Sequence, residues 1–104
     1  MPEITYNLRA TITLFPTDQG GRKRSVHTGY RPNFAFNTEQ YYCGEIELLD
    51  RDELRPGETS KAFIKMLPAR TIRKNLKEKD AFSINEGNKT VGSGIITEVK
   101  LVNL

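Results

Sequence analysis

Two side chains in this sequence, those of Cys43 and His27, are of the types that carry out nucleophilic catalysis. Such catalysis needs a nucleophile, a base within hydrogen-bonding reach and a third group that orients the base. Each of the two residues stands alone in a strand-like context. We therefore interpret Cys43 as a small buried apolar residue and His27 as an ordinary strand or surface residue. With one cysteine and one histidine, the chain can form neither an internal disulfide nor a His/Cys zinc cluster.

The carboxylates and the glycine motif of the chain do not indicate an active site either. Asp50 and Asp52 lie in a charged turn, where solvation explains them. No helix pattern follows Gly92-Ser93-Gly94, and no Gly-x-x-x-x-Gly-Lys-Ser/Thr sequence occurs, so no nucleotide phosphate site is indicated. We interpret these glycines as positions at which a neighbouring backbone or an aromatic ring approaches the last strand closely. The sequence thus predicts a protein that is not an enzyme and that holds no metal or cofactor.

The basic residues occur in clusters, and clustering matters more for a polyanionic partner than net charge does. The chain has 16 Lys and Arg residues against 13 Asp and Glu residues, a formal net charge of +3. If the clusters meet at one end of the molecule, they could neutralise phosphates and bind RNA with a strong salt dependence. An ordinary solvated surface is the alternative, since no aromatic-interleaved motif for stacking unpaired bases is present. The basic candidates are Arg22, Lys23, Arg24, Arg31, Lys89, Arg70, Arg73 and Lys74.

The elements that carry these residues are predicted to be strands. From Ile4 to Leu14 every even position is apolar or aromatic and the odd positions are polar, which is the period of a strand with one buried face. Turn residues separate further predicted strands. About six or seven short strands predict an all-β sandwich or small closed barrel. The later strands are expected at 25–28, 33–37, 41–49, 60–67, 82–84 and 90–101.

Several expectations concern burial. Apolar residues occupy both faces of 60–67, so both faces of this strand are expected to be covered. Tyr30, Phe34 and Phe36 either face the core or form an apolar docking patch. In the last strand, one face is expected to be shared by Val91, Ile95, Val99 and Leu101.

Length and hydropathy predict one globular domain over residues 1–104. A chain of 104 residues has the common size of a single domain, and its hydrophobic content of 37% is enough for a packed core. No apolar run approaches the roughly 20 residues of a membrane span, and the N-terminal segment lacks the apolar core of a signal peptide. We expect a soluble, cytoplasmic protein with no membrane partner.

The segment 68–80 fits the strand pattern poorly and is rich in basic residues. Ile72 and Leu76 lie four positions apart, so a single helical turn with two apolar anchors is one interpretation. A mobile, solvated loop is the other.

Four motifs follow one another along the chain. They are Asp18-Gln19-Gly20-Gly21-Arg22, Gly29-Tyr30-Arg31-Pro32-Asn33-Phe34, Arg55-Pro56-Gly57-Glu58 and Glu86-Gly87-Asn88-Lys89-Thr90-Val91-Gly92-Ser93-Gly94. In this order, and over most of the chain, they closely resemble the C-terminal (third) domain of elongation factor Tu. The resemblance implies a single six-stranded antiparallel closed β-barrel, which agrees with the strand count. In this family the barrel binds the T-stem of aminoacyl-tRNA, packs on the GTPase domain and is a docking face for the exchange factor.

The resemblance also implies RNA-binding residues by motif position. Arg22 and Lys23 match the glycine-rich loop that touches the tRNA backbone. Glu86 and Gly87 match a hairpin that contacts the T-stem, and Asn33 stands where the family usually has Gln after Tyr-Arg-Pro.

The sequence departs from the family pattern at several places. Asn88 and Lys89 stand where a Gly and an Arg are usual. Asn can hold a left-handed turn, and Lys offers a point charge in place of a planar fork. The segment after Pro68 is longer than in the family pattern.

The resemblance covers the third domain only, without the GTPase domain or the second barrel. It implies a non-catalytic, translation-factor-like module that binds tRNA or other structured RNA weakly. One alternative is a protein-interaction module that binds a GTPase or translation factor through Tyr30, Phe34 or the loop after Pro68. Another is an adaptor that has kept the fold and lost the family's activity.

Overall fold

The computed structural model describes residues 4–36, 40–67 and 76–103. Six of its eight strands close into an antiparallel barrel, and the second and fifth pair as a small separate sheet. None of the described residues is in an α-helix, and none of these ranges contains a helix long and apolar enough to cross a membrane. The strands are β1 (Ile4–Leu14), β2 (Val26–His27), β3 (Asn33–Ala35), β4 (Tyr42–Leu48), β5 (Glu53–Leu54), β6 (Thr59–Met66), β7 (Ala81–Glu86) and β8 (Lys89–Asn103).

The barrel closes in the order β1-β6-β4-β3-β7-β8, and β8 returns to β1. Every neighbouring pair is antiparallel. The six-stranded closed barrel predicted from the sequence is therefore confirmed. Closure removes the free sheet edges that would otherwise template pairing with other chains.

The alternation in β1 explains how its residues build the core. The strand pairs with β6 on one side and β8 on the other, so both of its edges are hydrogen-bonded. Arg9, on the outer face, is exposed. Each large aliphatic side chain on the inner face contributes about 1.5–3 kcal/mol through burial. The buried inner residues are Tyr6, Leu8, Ala10, Ile12 and Leu14.

Three phenylalanine rings fill the barrel beside β3 and β7. Phe34 and Phe36 are fully buried, and the Phe82 ring lies 5.8 Å and 5.7 Å from their ring centroids. Phe34 and Phe36 therefore belong to the core and form no docking patch, so docking through Phe34 is ruled out. Tyr30 is partly buried and packs against the edge of the core.

The prediction that both faces of the strand at 60–67 are covered is wrong. The inward residues Ala62 and Ile64 are fully buried, but Phe63 is only partly buried and Leu67 is 57% exposed. Lys61 and Lys65 of the same outer face are exposed, so this face of β6 is largely open to solvent.

The prediction of one shared face in the last strand is also wrong in part, because β8 contains two bulges. The predicted face consists of Val91, Ile95, Val99 and Leu101. The pairing with β7 skips Val91, and the pairing with β1 skips Thr97. Each extra residue reverses the side-chain alternation that follows it. As a result Ile96 is buried, Ile95 is 46% exposed, and Val91 and Val99 pack inward from opposite ends of the strand.

The close approach predicted at the glycines of β8 is confirmed. A Cβ atom built on Gly94 would lie 2.3 Å from Cζ of Phe82, and one built on Gly92 would lie 2.5 Å from the carbonyl oxygen of Thr13. An aromatic ring and a strand backbone thus occupy the space that side chains at these two positions would need.

Cys43 is exposed, contrary to its interpretation as a buried residue. It lies at an odd position of β4, on the outer face that also carries Glu47, and its thiol donates a hydrogen bond to Oδ1 of Asn33 at 3.2 Å. The alternation of β4, in which Tyr42 and Ile46 are buried, already indicates this placement. His27, in β2, is exposed and fits its interpretation as an ordinary strand or surface residue.

Candidate nucleic-acid interface

The loop after β1 is folded by its two glycines. The amide of Gly21 donates to the carbonyl of Pro16 at 2.9 Å, and Gly20 adopts a left-handed conformation with a φ of 89°. Gly21 lies so close to β1 that a Cβ atom there would sit 1.9 Å from the carbonyl oxygen of Phe15. The hydroxyl of Thr17 donates to the carbonyl of Arg22 at 2.6 Å. These contacts fix the backbone that carries the first basic cluster.

The hairpin between β7 and β8 turns over two residues, Gly87 and Asn88, with Glu86 paired to Lys89. Gly87 has a φ of 60°, so the first central residue takes the positive φ, as in a type II′ turn. Asn88 has no positive φ, and its capacity for a left-handed turn is therefore not used here.

Arg22, Tyr30 and Glu86 form a compact cluster, which we call the Arg22 cluster. Nε of Arg22 donates to Oε2 of Glu86 at 2.6 Å, and the Tyr30 hydroxyl donates to the same oxygen at 2.5 Å. The guanidinium carbon of Arg22 lies 5.2 Å from the centroid of the Tyr30 ring, within the range of a cation–π contact. The cluster therefore ties the loop after β1 to the β7–β8 hairpin at one end of the barrel.

Three further hydrogen bonds hold this arrangement, two within the loop and one between the loop and the hairpin. Nη1 of Arg22 donates to the carbonyls of Arg24 at 2.6 Å and Ser25 at 3.0 Å. Nζ of Lys89, on the hairpin, donates to the carbonyl of Gly21 at 3.4 Å. The residues that belong to two of the sequence motifs are thus in direct contact.

The ionisation of the Arg22 cluster is set by its own contacts. Partial burial raises the pKa of Tyr30 well above its ordinary value, and the hydrogen bond and negative charge of Glu86 raise it further, so the hydroxyl remains a donor at neutral pH. Burial also acts to raise the pKa of Glu86. The hydrogen bonds from Tyr30 and Arg22, together with the charges of Arg22 and Lys89, outweigh that effect and lower the pKa below its usual range.

Glu86 is expected to make the stability of the fold decrease as the solution becomes acidic. Because its pKa is lower in the folded protein than in the unfolded chain, its contribution is present above about pH 4.3 and is lost as the pH falls through the folded pKa. We expect Glu86→Gln to cost about 1 kcal/mol near neutral pH, a modest value because the carboxylate is partly exposed. The variant should then lose less stability than the wild type on acidification. Asp50 keeps part of the acid dependence, because a hydrogen bond from Ser60 lowers its pKa as well.

Denaturant unfolding at neutral and acid pH measures this effect. Glu47→Gln is the matched control, because Glu47 is exposed on the outer face of β4 and takes part in none of the ion pairs among the described residues. Equal losses of stability in the wild type and in Glu86→Gln would contradict the assignment.

The other basic candidates near this end differ in how they are engaged. Lys23 and Arg24 are exposed, and neither forms an ion pair with any carboxylate among the described residues. Arg31 pairs with Glu45 of β4 at 2.9 Å but is 76% exposed. Lys89 is exposed at the hairpin.

The remaining predicted site residues are placed as follows. Asn33 lies in β3 and is partly buried, with Oδ1 on the Cys43 thiol and its backbone carbonyl accepting from Nδ2 of Asn85 at 3.4 Å. Gly87 lies at the hairpin tip. The stretch 68–75 is outside the described residues, and with it Arg70, Arg73 and Lys74.

Sequence reasoning did not anticipate the Arg22 cluster. The motifs predict separate ligand contacts for Arg22 and Glu86, although the two residues carry opposite charges and the resemblance assigns both to the same ligand. Their contact joins positions 64 residues apart, so no local pattern encodes it. For Tyr30 the sequence predicts only a core or a docking position, whereas its hydroxyl is a third member of the cluster.

The chemistry available at this end of the barrel is that of charge and hydrogen bonding. Of the His, Cys, Asp and Glu side chains that the structure describes, no three are grouped so as to hold a metal ion. The surface instead offers exposed ammonium and guanidinium groups next to a fixed, internally paired arginine, an arrangement suited to an anionic ligand.

The comparison with known families agrees with this architecture. Residues 2–100 match the family model described as the elongation factor Tu C-terminal domain. The match spans nearly the whole chain. The four motifs and the contact between the loop after β1 and the β7–β8 hairpin lie within it, as does the six-stranded barrel except for the end of β8. The chain therefore belongs to the elongation factor Tu C-terminal domain family.

Proposed function

We propose that this translation-factor-like barrel acts without catalysis and binds tRNA or another structured RNA weakly. The ligand would contact the basic end of the barrel, which we define as residues 22–24 and 86–89. The observation that carries the proposal is the direct contact between the two motifs, with Arg22 on Glu86 at 2.6 Å and Lys89 on Gly21 at 3.4 Å. These contacts gather the exposed cations of two distant segments onto one surface.

The charge at this end supports a phosphate ligand of limited affinity. Glu86 is neutralised by Arg22, which leaves the charges of Lys23, Arg24 and Lys89 for a ligand. Each phosphate neutralised by a cation releases condensed counterions and contributes about 0.7–0.9 to the slope of log affinity against log salt. Phosphate contacts from these three side chains alone support weak, salt-sensitive binding.

A tRNA titration at low and at physiological salt tests the proposal. We expect binding that weakens with salt with a log–log slope of about −2 to −3. Lys23→Gln together with Lys89→Gln should weaken binding, whereas Lys61→Gln together with Lys65→Gln should not. The control pair removes the same charge from exposed positions on the outer face of β6. Failure to bind tRNA at low salt, or an affinity that does not change with salt, would remove the RNA proposal.

Docking on a GTPase or translation factor without RNA is the second candidate function. Leu67 is 57% exposed and Tyr41 is 45% exposed, and the amide of Leu67 donates to the carbonyl of Cys43, two residues from Tyr41. These side chains lie on neighbouring strand ends and supply apolar area that the RNA proposal does not use. Capture of a protein partner that survives ribonuclease treatment, and that Leu67→Ser abolishes, would favour this function over RNA binding.

A further inference from the structure

We propose that Arg22 is a positioning residue and that Lys23 and Arg24 make the phosphate contacts of this loop. The inference rests on the proposed RNA-binding function and assigns its roles differently from the motif positions, by which Arg22 itself would touch the ligand. Glu86 then holds Arg22 in place instead of contacting the RNA, and Arg24 contacts a phosphate directly.

The guanidinium of Arg22 is engaged through Nε and Nη1, while Nη2 has no hydrogen-bond partner among the described residues. The guanidinium donates to a carboxylate oxygen of Glu86 and to the carbonyls of Arg24 and Ser25, and the Tyr30 ring covers it. Its side chain is only 22% exposed. A phosphate that displaced the partners of Nε or Nη1 would leave Glu86 without its cation or two carbonyls without this donor. A phosphate at Nη2 would lie close to the Glu86 carboxylate, because Nε and Nη2 share one edge of the guanidinium.

The charge of Glu86 also opposes a phosphate on Arg22. Glu86 shares an oxygen with both Arg22 and Tyr30, so a phosphate that replaced it on Arg22 would stand beside a carboxylate of the same charge. Like charges at close range repel, and the repulsion is stronger where the groups are partly shielded from water. The ion pair therefore competes with the phosphate for Arg22.

Arg22 also holds the backbone that carries its two neighbours, Lys23 and Arg24. Both hydrogen bonds from Nη1 of Arg22 go to backbone carbonyls of its own loop, at Arg24 and Ser25, and so hold the segment 22–25 in one conformation. Lys23 and Arg24 project from this fixed segment as exposed side chains. A preordered backbone lowers the entropy that binding has to overcome.

The two exposed residues would also contribute differently. The planar fork of Arg24 can bind two oxygens of one phosphate, while Lys23 acts as a point charge. Arg24→Lys should therefore weaken tRNA binding yet keep the salt dependence of the wild type.

The experiment is a tRNA titration over a series of salt concentrations, with thermal unfolding of each variant measured in parallel. We expect Lys23→Gln and Arg24→Gln each to reduce the magnitude of the log–log slope by about one without changing the melting temperature. We expect Arg22→Lys to lower the melting temperature and the affinity while the slope stays at the wild-type value. Lys61→Gln is the control for the removal of one exposed charge.

The outcomes separate the inference from the function on which it rests. A wild-type slope in Lys23→Gln and Arg24→Gln, with a slope reduced by about one in Arg22→Gln, would overturn the inference and leave the RNA-binding proposal in place. Absence of tRNA binding by the wild-type protein would remove both. Because Lys23 and Arg24 are exposed and unpaired within the described residues, their variants decide the matter even if Arg22→Gln does not fold.

Discussion

Alanine in place of Gly94 is expected to lower the free energy of unfolding by about 2–3 kcal/mol, through overpacking of the core. Its Cβ atom would lie 2.3 Å from Cζ of Phe82 and 2.9 Å or less from both Cε atoms, so the ring would have to move. The ring has little room, because it packs edge-on against Phe34 and also contacts Phe36, which are both fully buried. Chemical denaturation measures the change.

A second substitution tests the cause of this loss. Phe82→Leu removes the colliding ring atoms, so its combination with Gly94→Ala should cost less than the sum of the two single changes. Ser93→Ala is the control, because Ser93 neighbours Gly94 on β8 and lies on the opposite face of the strand. Additive costs in the double variant would show that the contact with Phe82 is not the reason.

Alanine in place of Gly21 is expected to lower the free energy of unfolding by about 2 kcal/mol and to weaken tRNA binding as well. The added Cβ atom would collide with backbone, at 1.9 Å from the carbonyl oxygen of Phe15 and 2.7 Å from that of Pro16. Backbone cannot rotate away as a flexible side chain can, so the loop must shift from the end of β1. That shift would separate Arg22 from Glu86 and Lys89 from the Gly21 carbonyl, which disrupts the basic end.

Lys23→Ala serves as the stability control for the same loop. Its side chain is exposed and unpaired among the described residues, so its removal should change the free energy of unfolding by less than about 0.5 kcal/mol. A melting temperature of Gly21→Ala equal to that of Lys23→Ala would contradict the packing argument.

The sequence predicts the fold correctly where a local pattern of residues indicates which side chains are buried. The alternation from Ile4 to Leu14 identifies β1 and its inner face, and the glycines of β8 mark the approach of Phe82 and of the β1 backbone. The four motifs point to the family and thereby to six strands. Each of these features is encoded within a few residues of sequence.

Features that depend on a distant partner were not predictable in this way. The bulges at Val91 and Thr97 exist only because of the register with β7 and β1, and they exchange the roles of Ile95 and Ile96. A single sequence contains no mark of a bulge before the pairing is known.

In the candidate site, too, the features encoded locally could be predicted and those that depend on a distant partner could not. Its basic residues and its hairpin could be located from the motifs, and the contact between them agrees with their common assignment to one ligand. The pairing of Arg22 with Glu86 could not be inferred from charge counting, which treats every exposed arginine as available to a ligand. Only the geometry shows that this one is engaged.

The closure of the barrel also constrains how the protein folds during its synthesis. The first strand of the barrel, β1, is held on one side by β8, which comes last of the six barrel strands in chain order, and β8 also holds β7. The ring of strands therefore cannot be completed until the ribosome has released β8. Until then the apolar face of β1 and the edge that later pairs with β8 remain open to pairing with other chains.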